Sequence, residues 1–174
     1  PGKITFASSG QGGSLHLFAE LFKMLANVNL LHVPYKGAAP GLVEVVGGQV
    51  ETMFIALPQT LPHIKSGRLI ALASTGDTRL TALPAVPTAA EAGLKGFTLN
   101  VWYGFLAQAA APRPIIDKLN AEVNRVITSP EIKEKLAAHG TVPLPMTPQE
   151  LGKWLITERD RWGKVVKASG FKID

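Results

Sequence analysis

Cysteine is absent from this 174-residue chain, which removes disulfides, thiolate nucleophiles and cysteine-ligated zinc. The absence leaves the compartment open, because a chain without thiols works in either redox environment. Long apolar runs are also missing, and none approaches the roughly 18 residues of a membrane span. The four histidines, His16, His32, His63 and His139, show neither HxH nor HxxxH spacing, so no metal site is expected. No cofactor motif is present. Charged residues are only 18% of the chain, and the net charge of +5 is spread as +2 over residues 1–111 and +3 over 112–174. Without a basic stripe interleaved with stacking aromatics, nucleic acid is not an expected partner.

What the chain does have is a hydrophobic content of 46%, enough to fill a core and to exclude the disordered class. Its length suits one domain or two small ones. Pro1-Gly2-Lys3 leads almost at once into a strand-like run, so the start reads as a cut edge, with any export signal outside the sequence.

Short β runs alternate with helical patterns over the first hundred residues, the mark of βαβ units and a mainly parallel sheet. Strands are expected at Ile4–Ser8, Leu30–Pro34, Val50–Leu57 and Leu69–Ser74, the third apolar on both faces like a central parallel strand. Ser14 is expected to cap a helix carrying Leu17, Phe18, Leu21, Phe22 and Leu25 at helical period. Further helices are expected at Pro40–Val46, stopped by Gly47-Gly48, and at Pro58–Ser66, stopped by Gly67. Residues 75–96 form a long connection with a helical turn near Thr88–Ala92. Phe97–Ala107 reads as one β segment, and at about 3.3 Å per residue its eleven residues would reach roughly 36 Å.

Beyond Pro112 the pattern is helical. Pro112 and Pro114 open a helix bearing Ile115, Ile116, Leu119, Val123, Val126 and Ile127. Ser129-Pro130-Glu131 caps a second, ending at His139-Gly140, and a short strand follows. Thr147-Pro148-Gln149-Glu150 is a capping box for a third helix, which stops at Gly170. These amphipathic helices need a sheet that this stretch barely supplies.

Two loops carry the candidate chemistry. Ser8-Ser9-Gly10-Gln11-Gly12-Gly13-Ser14 lies between a strand and a helix, where turned backbone amides, hydroxyls and a helix amino end make an anion cradle. The same residues also suit an ordinary tight βα turn. No Gly-Lys-Ser/Thr follows, and the dinucleotide fingerprint breaks at its third glycine, so phosphate chemistry has no warrant. Val33-Pro34-Tyr35-Lys36-Gly37-Ala38 opens on the same carboxyl edge, where ligands of open α/β sheets bind. Lys36 and the Tyr35 hydroxyl either reach an anion there, or lie in solvent and against the sheet edge. His16, on the first helical turn, either lines the cradle or packs. Catalysis finds little support: Gly-x-Ser-x-Gly is missing, and no pair of carboxylates is placed for acid/base work. The enzymatic alternative is a small hydrolase of anionic substrates, with a loop serine as nucleophile and His16 as base.

The ordered set Gly10-Gln11-Gly12-Gly13-Ser14-Leu15-His16-Leu17, Glu20-Leu21-Phe22, His32-Val33-Pro34-Tyr35-Lys36-Gly37, Gly47-Gly48-Gln49-Val50, His63-Ile64-Lys65-Ser66-Gly67, Val86-Pro87-Thr88, Glu91-Ala92-Gly93 and Trp102-Tyr103-Gly104 resembles the tripartite tricarboxylate transporter substrate-binding proteins, the Bug or TctC-like periplasmic receptors. The resemblance covers essentially the whole chain in order.

It implies an α/β, type II periplasmic-binding-protein-like fold. On that reading residues 1–100 are the receptor's second lobe, nearly complete, 101–111 a crossover, and 112–174 the helical C-terminal part of its first lobe, which is incomplete because its N-terminal portion is absent. It implies a periplasmic receptor, not an enzyme, that captures a small carboxylate for membrane permease subunits. The implied ligand-binding positions are Ser8, Ser9, Gly10, Gln11, Gly12, Gly13, Ser14 and His16, with Tyr35, Lys36 and Gly37. Two departures bear on the ligand and the hinge. Ile55 stands where members commonly place Asp or another polar residue, which favours a plain or aromatic carboxylate over an amino acid. Gln108-Ala109-Ala110-Ala111-Pro112 replaces a usual Pro-Ala-Gly-Thr-Pro turn. With helix stripes left uncovered, a homodimer or domain-swapped pair is expected.

Overall fold

The computed structural model describes residues 2–138 and 140–170. Contacts divide the chain into two compact units, Pro1–Val101 with Trp162–Asp174, and Trp102–Arg161.

The first unit is built on three parallel strands, β1 (Thr5–Ser8), β2 (Leu31–Pro34) and β3 (Thr52–Met53), in the order β2-β1-β3. Helices α1 (Ser14–Ala26), α2 (Ala38–Val46) and α3 (Leu57–Lys65) follow the three strands in turn. Phe6 and Ala7 are fully buried, and consecutive strand residues face opposite sides. Phe6 stacks on His16 of α1, whereas Ala7 lies beneath Gly41 of α2, where an added Cβ would come within 3.4 Å of its own. So α1 covers one face of the sheet and α2 the other, as α/β layering requires. The chain moves from β1 outward to β2 and then back past β1 to β3. The carboxyl end of β1 is therefore where the winding reverses, the place where such sheets open a crevice.

The apolar stripe of α1 buries Leu15, Phe18 and Ala19, and the helix ends on Asn27 in the left-handed region (φ 52°), whose amide donates to Lys23 O. Phe18 belongs to a core with Ala89, Phe97 and Leu99, against which Phe22, Phe54 and Trp162 pack. Each large side chain buried there contributes about 1.5–3 kcal/mol. The expected turn at Thr88–Ala92 forms: Ala92 N–H donates to Thr88 O, and Thr88 and Glu91 exchange reciprocal capping hydrogen bonds.

Several strand expectations are corrected. Val50–Leu57 supplies only Thr52–Met53 to the sheet, at an edge, while Leu57 already begins α3; the central strand is β1. Leu69–Ser74 forms only the isolated bridge of Ser74 to Thr88, with Ile70 and Leu72 84% and 73% exposed. From Phe97–Ala107, Phe97 and Leu99 are buried and Leu99 N–H donates to Thr75 O at 2.8 Å, but no ladder forms among the described residues. Apolar β-prone composition makes a strand only where a partner backbone lies alongside. Ser14 is likewise the first helical residue, with Gly13 as the N-cap and no side-chain cap.

The second unit holds α4 (Arg113–Ile127), α5 (Pro130–Ala138) and α6 (Pro148–Ser169) as far as Arg161. Proline in the first turn opens α4. Ser129 stands directly before α5 and its carbonyl accepts Lys133 N–H at 2.9 Å, while its Oγ donates back to Val126 O at 2.8 Å. His139 lies outside the described residues, and Gly140 has φ 66°. The capping box is present: Thr147 N–H and Oγ1 both donate to Glu150 Oε2 at 2.8 Å, and Glu150 N–H donates to Thr147 Oγ1. The short strand expected before it is an irregular segment, tied to α4 because Asn120 and Asn124 both donate to Met146 O. Trp102 meets Trp154 edge to face at 4.9 Å. No residue of α4 or α5 is buried.

Candidate ligand-binding site

The two loops singled out in the sequence are joined at the carboxyl edge of β1 and β2. Tyr35 N–H donates to Ser8 O and Gly37 N–H to Ser9 O, both at 3.2 Å, extending the β1–β2 pairing beyond the strands. Gly10 (φ 131°) leaves the β1–α1 loop close to its neighbour, since a Cβ there would sit 3.5 Å from Tyr35 O. Gly12 (φ 75°) and Gly37 (φ 116°) also occupy backbone regions that L side chains rarely adopt. The amino end of α1 closes the loop. Its first-turn amides, Ser14 and Leu15 among them, have no acceptor inside the helix and bring partial positive charge to this edge.

Beneath the loop lies a stack of rings. His16 of α1 and His32 of β2 are nearly parallel with centroids 3.9 Å apart, and Phe6 stacks on His32 at 4.8 Å. The Phe6↔His32 register puts both side chains on the α1 face. His16 Nδ1 accepts the Gly12 N–H at 3.0 Å, so the proton of its neutral ring is on Nε2, which lies 3.6 Å from Glu20 Oε1. Glu20 also receives Lys23 Nζ at 2.7 Å. His32 Nε2 and Ser8 Oγ share a 2.6 Å hydrogen bond, and Ser8 Oγ accepts Gly10 N–H at 3.2 Å. Burial lowers the pKa of His16 below the usual histidine value, against the opposing pull of Glu20. Burial, then the neighbouring His16, pushes His32 down to about 4.

The expected site residues therefore occupy two levels. Ser8 and His16 are buried beneath the loop, with side chains committed to the ring stack and the glycines. Gln11, Ser14 and Lys36 are exposed, while Ser9, Gly10, Gly12, Gly13, Tyr35 and Gly37 are partly so. Three glycine amides are engaged within the loop: Gly10 on Ser8 Oγ, Gly12 on His16, and Gly13 on Gly10 O at 3.3 Å. With the glycine amides engaged, the donors left at this edge include the first turn of α1, where Ser14 is exposed. Ile55 lies in the β3–α3 connection. Sequence reasoning passed over His32, because its place under the loop depends on the parallel register. The one available signal was a polar residue alternating within Leu31-His32-Val33.

Among the described residues no group of His, Asp and Glu is placed to hold a metal, and no helix is long and apolar enough to cross a membrane. An open depression of about 490 Å³, lined by residues including Leu144, Met146, Lys153 and Trp154, lies in the second unit and shares no residue with the loops.

The chain belongs to the tripartite tricarboxylate transporter family receptors, the TctC family, whose pattern matches residues 1–171. Protein BugT of Bordetella pertussis is 36% identical over 173 residues, covering 99% of this chain and 53% of BugT. Rpa4515 of R. palustris, solved with adipate, superposes with a TM-score of 0.88 at 34% identity over 98% of this chain and 57% of that one. MatC from Rhodopseudomonas palustris, solved with bound malate, gives 0.82 at 33% identity over 95% of this chain and 57% of that one. The chain spans about half the length of the curated relatives it matches first.

Proposed function

We propose that this chain serves as a periplasmic solute receptor that captures a small carboxylate, a di- or tricarboxylate or an aromatic acid, and presents it to the membrane permease of a tripartite tricarboxylate transporter. On this reading residues 1–100 act as the recognising lobe, 101–111 as a crossover and the helices of 112–174 as part of the other lobe, except that α6 contributes Trp162 to the core of the first unit. The observation that supports this reading is the backbone junction of the two loops at the carboxyl end of β1, beside the α1 amino end; Ser9, Ser14 and Lys36 belong to those loops. That edge suits one carboxylate head, and the relatives solved with adipate and malate bind acids of this kind. Ile55 keeps the β3–α3 side apolar, which suits a ligand without an ammonium group.

The hydrolase alternative lacks a usable pair. Ser8, the serine on a histidine, is fully buried, and the Nδ1 of His16 is occupied by Gly12.

Micromolar affinity needs about −8 kcal/mol of net binding, while charge-assisted hydrogen bonds contribute roughly 1.5–3 kcal/mol each before the cost of ordering. The loop edge of this chain alone therefore gives roughly millimolar affinity. Calorimetric titration of adipate and malate into the chain is expected to show saturable binding in that range, abolished by Ser14→Pro. No binding at tens of millimolar of either acid would overturn the carboxylate reading, and micromolar binding would overturn the weakness assigned to this one edge.

A further inference from the structure

We propose that His16, clamped against His32, is the positioning residue of the glycine loop, and that a proton added at its Nδ1 releases the loop and lowers anion capture. The first half stands on geometry alone. The only lone pair of neutral His16 takes the Gly12 N–H at 3.0 Å, and Gly12 sits at φ 75°, where the chain turns toward α1. The ring cannot slide off this contact, because His32 lies flat against it at 3.9 Å and Phe6 lies flat against His32 at 4.8 Å. His32 in turn holds Ser8 Oγ, which takes the Gly10 N–H. Two stacked imidazoles thus pin the loop at two of its glycines.

The second half follows from the donor and acceptor inventory of histidine. A neutral imidazole has one acceptor nitrogen, and imidazolium has none. Protonated His16 presents N–H toward Gly12 N–H, so the bond is lost and two donors face each other. Among the groups acting on the pair are Glu20 and Lys23 of α1, and His16 acts on His32, while β1 contributes Phe6 and Ser8. Glu20 favours the His16 cation, but burial and Lys23 oppose it, and the balance keeps both rings neutral at neutral pH. The loop is therefore set at pH 7 and loosens on acidification. The effect on capture rests on the carboxylate reading above, whereas the loop titration does not.

The test is a pH titration of the isotope-labelled chain from 7.5 to 4.5 by NMR, with and without adipate. The Gly12 amide shift is expected to follow the His16 ring with one midpoint below 6.5. Adipate affinity is expected to fall about tenfold or more between pH 7.5 and 5. In His16→Asn, whose side-chain carbonyl accepts the same N–H but does not titrate in this range, the fall between pH 7.5 and pH 5, measured against the variant's own value at pH 7.5, is flattened. A Gly12 amide indifferent to the His16 titration, or an undiminished acid loss in His16→Asn, overturns the proposal. Absence of adipate binding at every pH defeats the carboxylate reading, while the Gly12 titration still decides the positioning role.

Discussion

His32 carries more of the first unit than its half-exposed strand suggests, because it connects the ring stack to the buried Ser8 hydroxyl. Its folded-state pKa of about 4 lies below the ordinary 6.5, so between those values the unfolded chain binds more protons than the folded one. Stability from this group is then complete above about pH 6.5 and is lost as pH falls through about 4, by an amount that solvent screening of the half-buried ring reduces. Urea unfolding at pH 7.5 and pH 5 should show the lower value at pH 5, and equal stabilities would contradict it. Gly41 makes a steric point at the same scale. A Cβ there would meet Met53 Cε at 3.2 Å and Tyr35 Cδ2 at 3.3 Å, so α2 approaches the sheet only because the side chain is missing. Gly41→Ala gains helix propensity but forces the Tyr35 ring to move, and the expected net loss is about 1 kcal/mol. Chemical denaturation measures it, and a gain would mean that Met53 and Tyr35 yield freely.

Helices and strands differed in how much of them could be read. The start of α6 was legible because Thr147 and Glu150 satisfy each other's exposed amides with residues three apart. Thr147→Ala should speed amide exchange in the first turn of α6 about fivefold, with more distant turns unchanged; uniform acceleration would point to global destabilisation instead. The α1 stripe was legible for the same local reason. Strands were not, because Val50–Leu57, Leu69–Ser74 and Phe97–Ala107 carry similar apolar composition and differ only in whether a partner backbone lies alongside, which no local window contains. The site divides along the same line. The glycine and serine loop and the Tyr35 loop announce themselves in sequence, whereas the Tyr35 N–H to Ser8 O bond and the His16–His32 stack depend on the β1–β2 register. The Gly10, Gly12 and Gly13 amides also turn inward, onto Ser8 Oγ, His16 and Gly10 O, which the glycine pattern alone does not contain.

For the molecule as a whole, the uneven covering of apolar side chains bears on association. Extended, unpaired backbone in the first unit exposes Ile70 and Leu72, and in the second Tyr103, Phe105 and Leu106 are 91%, 79% and 76% exposed. Alternating apolar residues on backbone without a ladder are a template for another strand, and patches of this kind drive association. In a pure preparation the partner available is a second copy, and symmetric pairing hides the same segment on both. A net charge of +5 is mild repulsion against that, the more so at physiological salt. Light scattering is expected to give about twice the mass of one chain at tens of micromolar, falling toward the single-chain value on dilution. Substituting Ile70→Lys and Leu72→Glu should shift that midpoint to at least tenfold higher concentration without loss of helical signal, because neither side chain contributes to the buried core. A compact monomer at all concentrations would show that these exposed residues are tolerated without a partner.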